Sequence, residues 1–221
     1  MKTYPPQDPA LGALEGKITF EGEVPELKPF EIPAAHQDHA ACVSHVKNES
    51  LVLSEKKDIM NVLISVAGYQ PAEKVKPRKA HLDNKRCAFV PHLQATTVGS
   101  TLEITNSDAF LHNTHAVLAL SFNVAIPPGG KEEKPIKKAG RAVVSCSFHT
   151  WMQANIWVFS HDLFDTTGPD GAFKIPNIPP GEYQIDVWHE SLAPVAQKHK
   201  VKIEAGKTAR LDLALRPREK K

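Results

Sequence analysis

A thiol, an imidazole and a thioether stand at Cys146, His149 and Met152, each separated from the next by two residues. The stretch reads CSFHTWM and leads into an apolar run at 156–159. Thiolate and thioether are soft ligands, and imidazole suits copper, zinc and iron. Two imidazoles, one thiolate and a weak axial thioether make the donor set of an electron-transfer copper site. The loop supplies one imidazole, so a second must come from elsewhere. Upstream, NSDAFLHNTHAV (106–117) offers His112 and His115. The residues alone leave the two open; His115 lies two residues beyond Asn113 on the same expected strand, where a buried or supporting role is the alternative to ligation. A Cys–His pair can also act as a nucleophilic dyad. Here the two share one short loop with Met152, and no third orienting group is evident, so ligation is the better reading. The His-x-His motifs of a multicopper oxidase are absent from the chain.

Such donors need rigid elements on either side, and the chain reads as many short strands. GKITF (16–20), NVLISV (61–66), TLEIT (101–105), HAVLAL (115–120), AVVSCS (142–147) and NIWVF (155–159) are apolar or alternating runs. AFKI (172–175), YQIDVW (183–188), HKVKIEA (199–205) and ARLDLAL (209–215) follow. The later ones alternate apolar and polar residues, as half-buried antiparallel strands do. VKIEAGKTARLDLAL reads as a hairpin around Ala205-Gly206. Trp188 and His189 read as strand and turn residues. Only 34–46 and 54–58 have helical character, and both are short. With 18 prolines and 12 glycines punctuating the runs, the expectation is an all-β protein. At 221 residues the chain can build one large or two small domains.

A second cluster, AAHQDHAACVSHV, places His36, His39, Cys42 and His45 at every third position. In an α-helix that spacing drifts by about 60° per step, so the four cannot all converge on a regular helix. Cys87 and His92 in CAFVPH are further donors. If Cys146 binds a metal, Cys42 and Cys87 are the remaining cysteines. Their pairing would fit an oxidising compartment. Two buried free thiols, or a second metal site with these histidines, are the alternatives.

ATTVGSTLEITNSDAFLHNTHAV (95–117), followed by VSCSFHTWMQANIWVF (144–159), resembles a cupredoxin of the amicyanin and plastocyanin branch. The resemblance implies one type 1 copper ion held by His112, Cys146, His149 and Met152. It implies that Asn113 ties the two ligand loops together by hydrogen bonds. Phe148 or Trp151 is then expected to cover the copper or to form an apolar docking surface, with the exposed edge of His149 as the electron port. DGAFKIPNIPPGEYQI in the C-terminal quarter, with LEGKITFEGEVPEL (14–27), resembles a carboxypeptidase regulatory-like (transthyretin-like) sandwich. Over 14–216 the chain is similar to secreted bacterial proteins of the methylamine utilisation or plastocyanin-like type. The expected organisation is therefore a cupredoxin Greek-key β-sandwich at 78–162, inserted in or adjacent to a transthyretin-like sandwich built from 14–77 and 163–216.

The net charge of +2 and the dispersed Lys and Arg give no electrostatic case for nucleic acid. No apolar run approaches the ~18 residues of a membrane span. MKTYPPQDPALGALEG lacks the apolar core of a signal peptide. The site chemistry favours a chain that works in the periplasm or is secreted, numbered here after removal of a signal. The expected activity is one-electron transfer between redox proteins, such as a cytochrome or a membrane redox complex, without catalysis. The alternatives are a copper chaperone or scavenger, or a structural subunit of a redox complex.

Overall fold

The computed structural model describes residue 2 and residues 4–193 and 199–217. It is almost entirely β, and the chain divides into two compact units that interleave in sequence. The first comprises Met1–Glu26, Ser50–Gln70 and Leu163–Lys221; the second comprises Leu27–Glu49 and Pro71–Asp162. The boundaries thus differ from the sequence expectation, because 27–49 and 71–77 belong to the second unit.

In the first unit the strand Gly12–Phe20 pairs antiparallel with Ala172–Ile178, and parallel with both Thr208–Arg210 and Leu213–Leu215. A second sheet runs in the order Phe164–Thr166, Leu63–Val66, Gly181–Trp188, His199–Ile203. Leu14, Ile18 and Phe20 alternate along the inner face of the first strand, as period-two patterning requires. Leu63–Val66 is buried along its whole length, and its residues are correspondingly apolar or small. The expected hairpin at Ala205-Gly206 does not form. His199–Ile203 pairs with Gly181–Trp188, whereas Thr208–Arg210 crosses to the other sheet. Gly206 makes that turn at φ 66°, donating its N–H to the Leu11 carbonyl. Gly16 has a different reason to be glycine: a Cβ there would stand 1.8 Å from the Leu211 carbonyl oxygen.

The second unit is a β-sandwich. Its five-stranded sheet runs Phe122–Ile126, His112–Leu118, Gly140–Ser145, Gln153–Phe159, Leu93–Thr97; the last pair is parallel and the others antiparallel. Its four-stranded sheet runs Lys131–Pro135, Thr101–Asn106, Lys79–Lys85, Ala88–Val90, with a parallel pair at its centre. Leu82, Leu102 and Ile104 from the smaller sheet share one apolar cluster with Ala116, Val144 and Ile156 from the larger. The strands at 79–85 and 131–135 carry too many polar residues to stand out as apolar runs in the sequence.

Within 34–46 only His39–Cys42 is helical, a single turn. The 54–58 stretch is a turn closed by Ser54 N–H to the Asp58 carbonyl, with Lys57 at φ 63°. Cys42 and Cys87 form a disulfide across 45 residues of sequence. This excludes both as free thiols and as metal donors. Among the described residues, no helix is long and apolar enough to cross a membrane.

Two stability outcomes follow. Replacing both Cys42 and Cys87 with alanine frees a loop of 45 residues, and the chain-entropy relation then gives a loss of about 3–4 kcal/mol, read as a lower urea midpoint. Gly16→Ala drives a methyl group into backbone and is expected to cost roughly 2 kcal/mol or more in the same titration.

Candidate metal centre

The strand order brings the sequence candidates to one end of the larger sheet. Cys146 directly follows the strand Gly140–Ser145, and Met152 directly precedes Gln153–Phe159. These strands are antiparallel neighbours, so 146–152 is the loop that joins them. His112 opens the strand on the other side of Gly140–Ser145. The loop is closed on itself by Met152 N–H to the His149 carbonyl at 2.8 Å and Cys146 N–H to the Met152 carbonyl at 3.3 Å.

His112, Cys146 and His149 converge there as a potential metal-binding group. The Cys146 Sγ lies 3.9 Å from His112 Nδ1 and 3.6 Å from His149 Nδ1. The two imidazole centroids are 4.5 Å apart. Exposure is 0% for both histidines, 2% for Cys146 and 1% for Met152. Met152 lies in the same apolar cluster as Cys146. His115 faces elsewhere on its strand, half-exposed, and is not part of the group.

Each imidazole gives its outer nitrogen to a carboxylate. His112 Nε2 is 2.9 Å from Asp108 Oδ2, and His149 Nε2 is 3.1 Å from Asp38 Oδ2. With Nε2–H donating, Nδ1 keeps its lone pair and faces the sulfur. Burial pushes the His112 imidazole below its ordinary pKa, against the pull of Asp108 in the other direction. Burial, then the neighbouring His112, push His149 down in the same way, with Asp38 opposing. Both rings are therefore neutral near pH 7, the form that binds a metal.

Asn113 joins the 146–152 loop to the start of its neighbouring strand, as the cupredoxin resemblance implies. Its Oδ1 accepts the Ser147 N–H at 2.6 Å and lies 3.4 Å from the Cys146 sulfur, while Nδ2 donates to Asn123 Oδ1 at 2.7 Å. Trp151 is buried edge-on to His149, with centroids 5.2 Å apart, and its indole N–H donates to the Cys87 carbonyl. Phe148 is 45% exposed. Phe110 packs beside both imidazoles, at 5.0 and 5.5 Å.

One expectation is corrected. His149 has no exposed edge, because the segment around His36 and Asp38 covers it. The His36 ring lies 5.1 Å from both His149 and Trp151. The second cluster does not assemble as a ligand set of its own. His39 Nδ1 bonds the Ile32 carbonyl, His45 is exposed, and His92 lies 4.0 Å from Glu49. Asp38, Asp108 and Phe110 were not singled out from sequence, and His36 was weighed only as a donor of the second cluster. Asp108, four residues before His112, was the only carboxylate with a local signal.

The donor spacing fits a metal ion. An ion about 2.1 Å from an imidazole nitrogen and about 2.3 Å from a thiolate, at angles of roughly 110–120°, holds those atoms about 3.6–3.8 Å apart. The observed separations of 3.6 and 3.9 Å match. Soft sulfur beside two imidazoles suits copper, and zinc is the next best occupant by geometry.

Polysaccharide lyase family 4, domain II, matches residues 149–211, a minority of the chain that begins inside the ligand loop and ends in the first unit. The sequence reading had expected a carboxypeptidase regulatory-like module there. No curated protein matches the chain. Among solved structures, the copper-containing nitrite reductase of Thermus scotoductus SA-01 is 22% identical over 42% of this chain, with a TM-score of 0.36. The chain spans only 25% of that enzyme's length. A purple cupredoxin from Nitrosopumilus maritimus is 24% identical over 36% of this chain and 99% of its own, with a TM-score of 0.33. Amicyanin from Paracoccus versutus is 15% identical over 43% of this chain and 97% of its own, with a TM-score of 0.34.

Asn113→Ala removes the acceptor of the part-buried Ser147 N–H together with the other bonds of the buried Asn113 amide. The expected cost is about 1–3 kcal/mol, read from urea unfolding of the metal-free protein; an unchanged midpoint would show that the bridge contributes nothing.

Proposed function

We propose that the second unit is a cupredoxin-type carrier of single electrons. In this reading His112, Cys146 and His149 hold one type 1 copper ion, with Met152 as the axial thioether. The observation that carries it is the convergence of two Nδ1 atoms on one buried thiol, at separations matching a shared ion. When bound, copper supplies a one-electron couple between Cu(II) and Cu(I). The protein's part is to keep the donors in nearly one arrangement for both states. The tight loop, the Asn113 bridge and the packed cluster all serve that rigidity.

The burial of all four residues supports a carrier over an enzyme. A catalytic metal site keeps a position open to substrate, whereas electrons cross a few ångströms of packed side chain. The same burial weighs against a copper chaperone, which must release its ion readily. The electron donor and acceptor are proposed to be proteins, such as a cytochrome or a membrane redox complex. The Cys42–Cys87 disulfide supports work outside a reducing cytoplasm, in the periplasm or beyond. The first unit is proposed to act as a scaffold or docking module.

The test is an optical and EPR titration with Cu(II), followed by ascorbate, beside Cys146→Ser. The expected result is a strong visible thiolate-to-copper band at one copper per chain. It is bleached reversibly by reductant and lost in the variant. A colourless protein that still takes up copper would contradict the reading and favour copper handling.

A further inference from the structure

Both imidazoles of the centre are backed by a carboxylate, and that of Asp108 is itself fixed by backbone N–H groups. Asp108 accepts the Arg86 N–H at 2.6 Å and the Cys87 N–H at 2.9 Å, besides its bond to His112. Its side chain is 11% exposed. Arg86 and Cys87 turn the chain at φ 55° and 60°, which aims two successive N–H groups at one carboxylate. Asp38 immediately precedes the helical turn His39–Cys42, and its carbonyl accepts the Cys42 N–H. Its side chain is 14% exposed and bonds His149. The disulfide partners therefore sit next to both devices. Cys87 holds Asp108 through its N–H, and Cys42 ends the turn that begins after Asp38.

His36, Asp38 and His149 could themselves suggest a second cation site. The hydrogen bonds argue against it. His36 Nδ1 accepts the Asp38 N–H at 3.2 Å, and its Nε2 meets the Phe148 carbonyl at 2.9 Å, so neither ring nitrogen has a free lone pair. Asp38 Oδ2 bonds His149 at 3.1 Å and also accepts from Gln37 Nε2 at 3.3 Å.

We propose that Asp38 and Asp108 are positioning residues of the metal centre that bias it toward the oxidised ion. This rests on the copper reading given above. Each carboxylate fixes the tautomer that turns Nδ1 inward and makes its imidazole a stronger donor. Each also places a negative charge across the ring from the ion, under low exposure. A doubly charged ion gains more from that charge than a singly charged one. Two such carboxylates act in the same direction, so the centre favours Cu(II) and is easier to oxidise than one whose imidazoles face water or neutral carbonyls.

The experiment compares the reduction potential and copper affinities of the full chain with Asp38→Asn, Asp108→Asn and Asp38→Ala. At Asp38 asparagine keeps the acceptor oxygen and removes the charge; at Asp108, where both oxygens accept N–H groups, it also turns one acceptor into a donor. The expected result is that each Asn variant retains the visible band but loses about tenfold in Cu(II) affinity relative to Cu(I). That factor corresponds to a rise of about 59 mV in potential for one electron. Asp38→Ala, which removes the hydrogen bond too, shifts at least as far. Asp108 also supports a turn, so its variant is checked by urea unfolding; Asp38→Asn, which leaves that turn intact, carries the test alone if Asp108→Asn fails to fold. A wild-type centre with its Cys146-dependent band, and an unchanged potential in Asp38→Asn, would overturn the proposal while leaving the copper centre standing. A wild-type chain without that band would overturn both.

Discussion

Two imidazoles and a thiol, all essentially inaccessible to water, face one another at the edge of an apolar cluster. Burying polar groups is costly unless each finds a partner. The surroundings of this site can be read as the set of partners that burial demands. The outer nitrogens go to Asp38 and Asp108, the loop N–H of Ser147 goes to Asn113, and the indole N–H of Trp151 goes to the Cys87 carbonyl. What is left over is inward-facing: two lone pairs and a sulfur at ion-binding separation.

That constraint explains why the second unit recruits chain from outside its sandwich. The nine strands bring His112 and the 146–152 loop together, but they leave His149 uncovered on one side. The 27–49 segment supplies the cover through His36 and Asp38, and a disulfide fixes it to the turn that carries Cys87. The cover, the turn and the ligand loop are joined by hydrogen bonds that all pass within one or two residues of a cysteine or a histidine of the centre. A site enclosed in this way keeps solvent from the inward-facing donors.

Much of this was legible in the sequence, for identifiable reasons. The Cys146, His149 and Met152 spacing is local, so one loop reveals it. Strands with clear alternation, such as Gly12–Phe20, Thr101–Asn106 and Gly181–Trp188, announced the β architecture. Lys79–Lys85 and Lys131–Pro135 did not, because their exposed faces are charged and their apolar residues few. The turn at Gly206 looked like a hairpin because sequence gives the turn but not the sheet that the next strand joins. Asp38 was invisible for a similar reason: it lies 111 residues from His149, and only the fold brings them together. The burial of His149 followed from the same contact, and with it the loss of the exposed edge that the loop alone suggested.

The central claim is that one thiolate and two imidazoles share a single copper ion. The most direct test is X-ray absorption at the copper edge, on the full chain loaded with one equivalent. The account predicts one short sulfur scatterer and two imidazole nitrogens in the first coordination sphere, with the sulfur contribution abolished in Cys146→Ser. A sphere of nitrogen and oxygen alone, unchanged by that substitution, would contradict it.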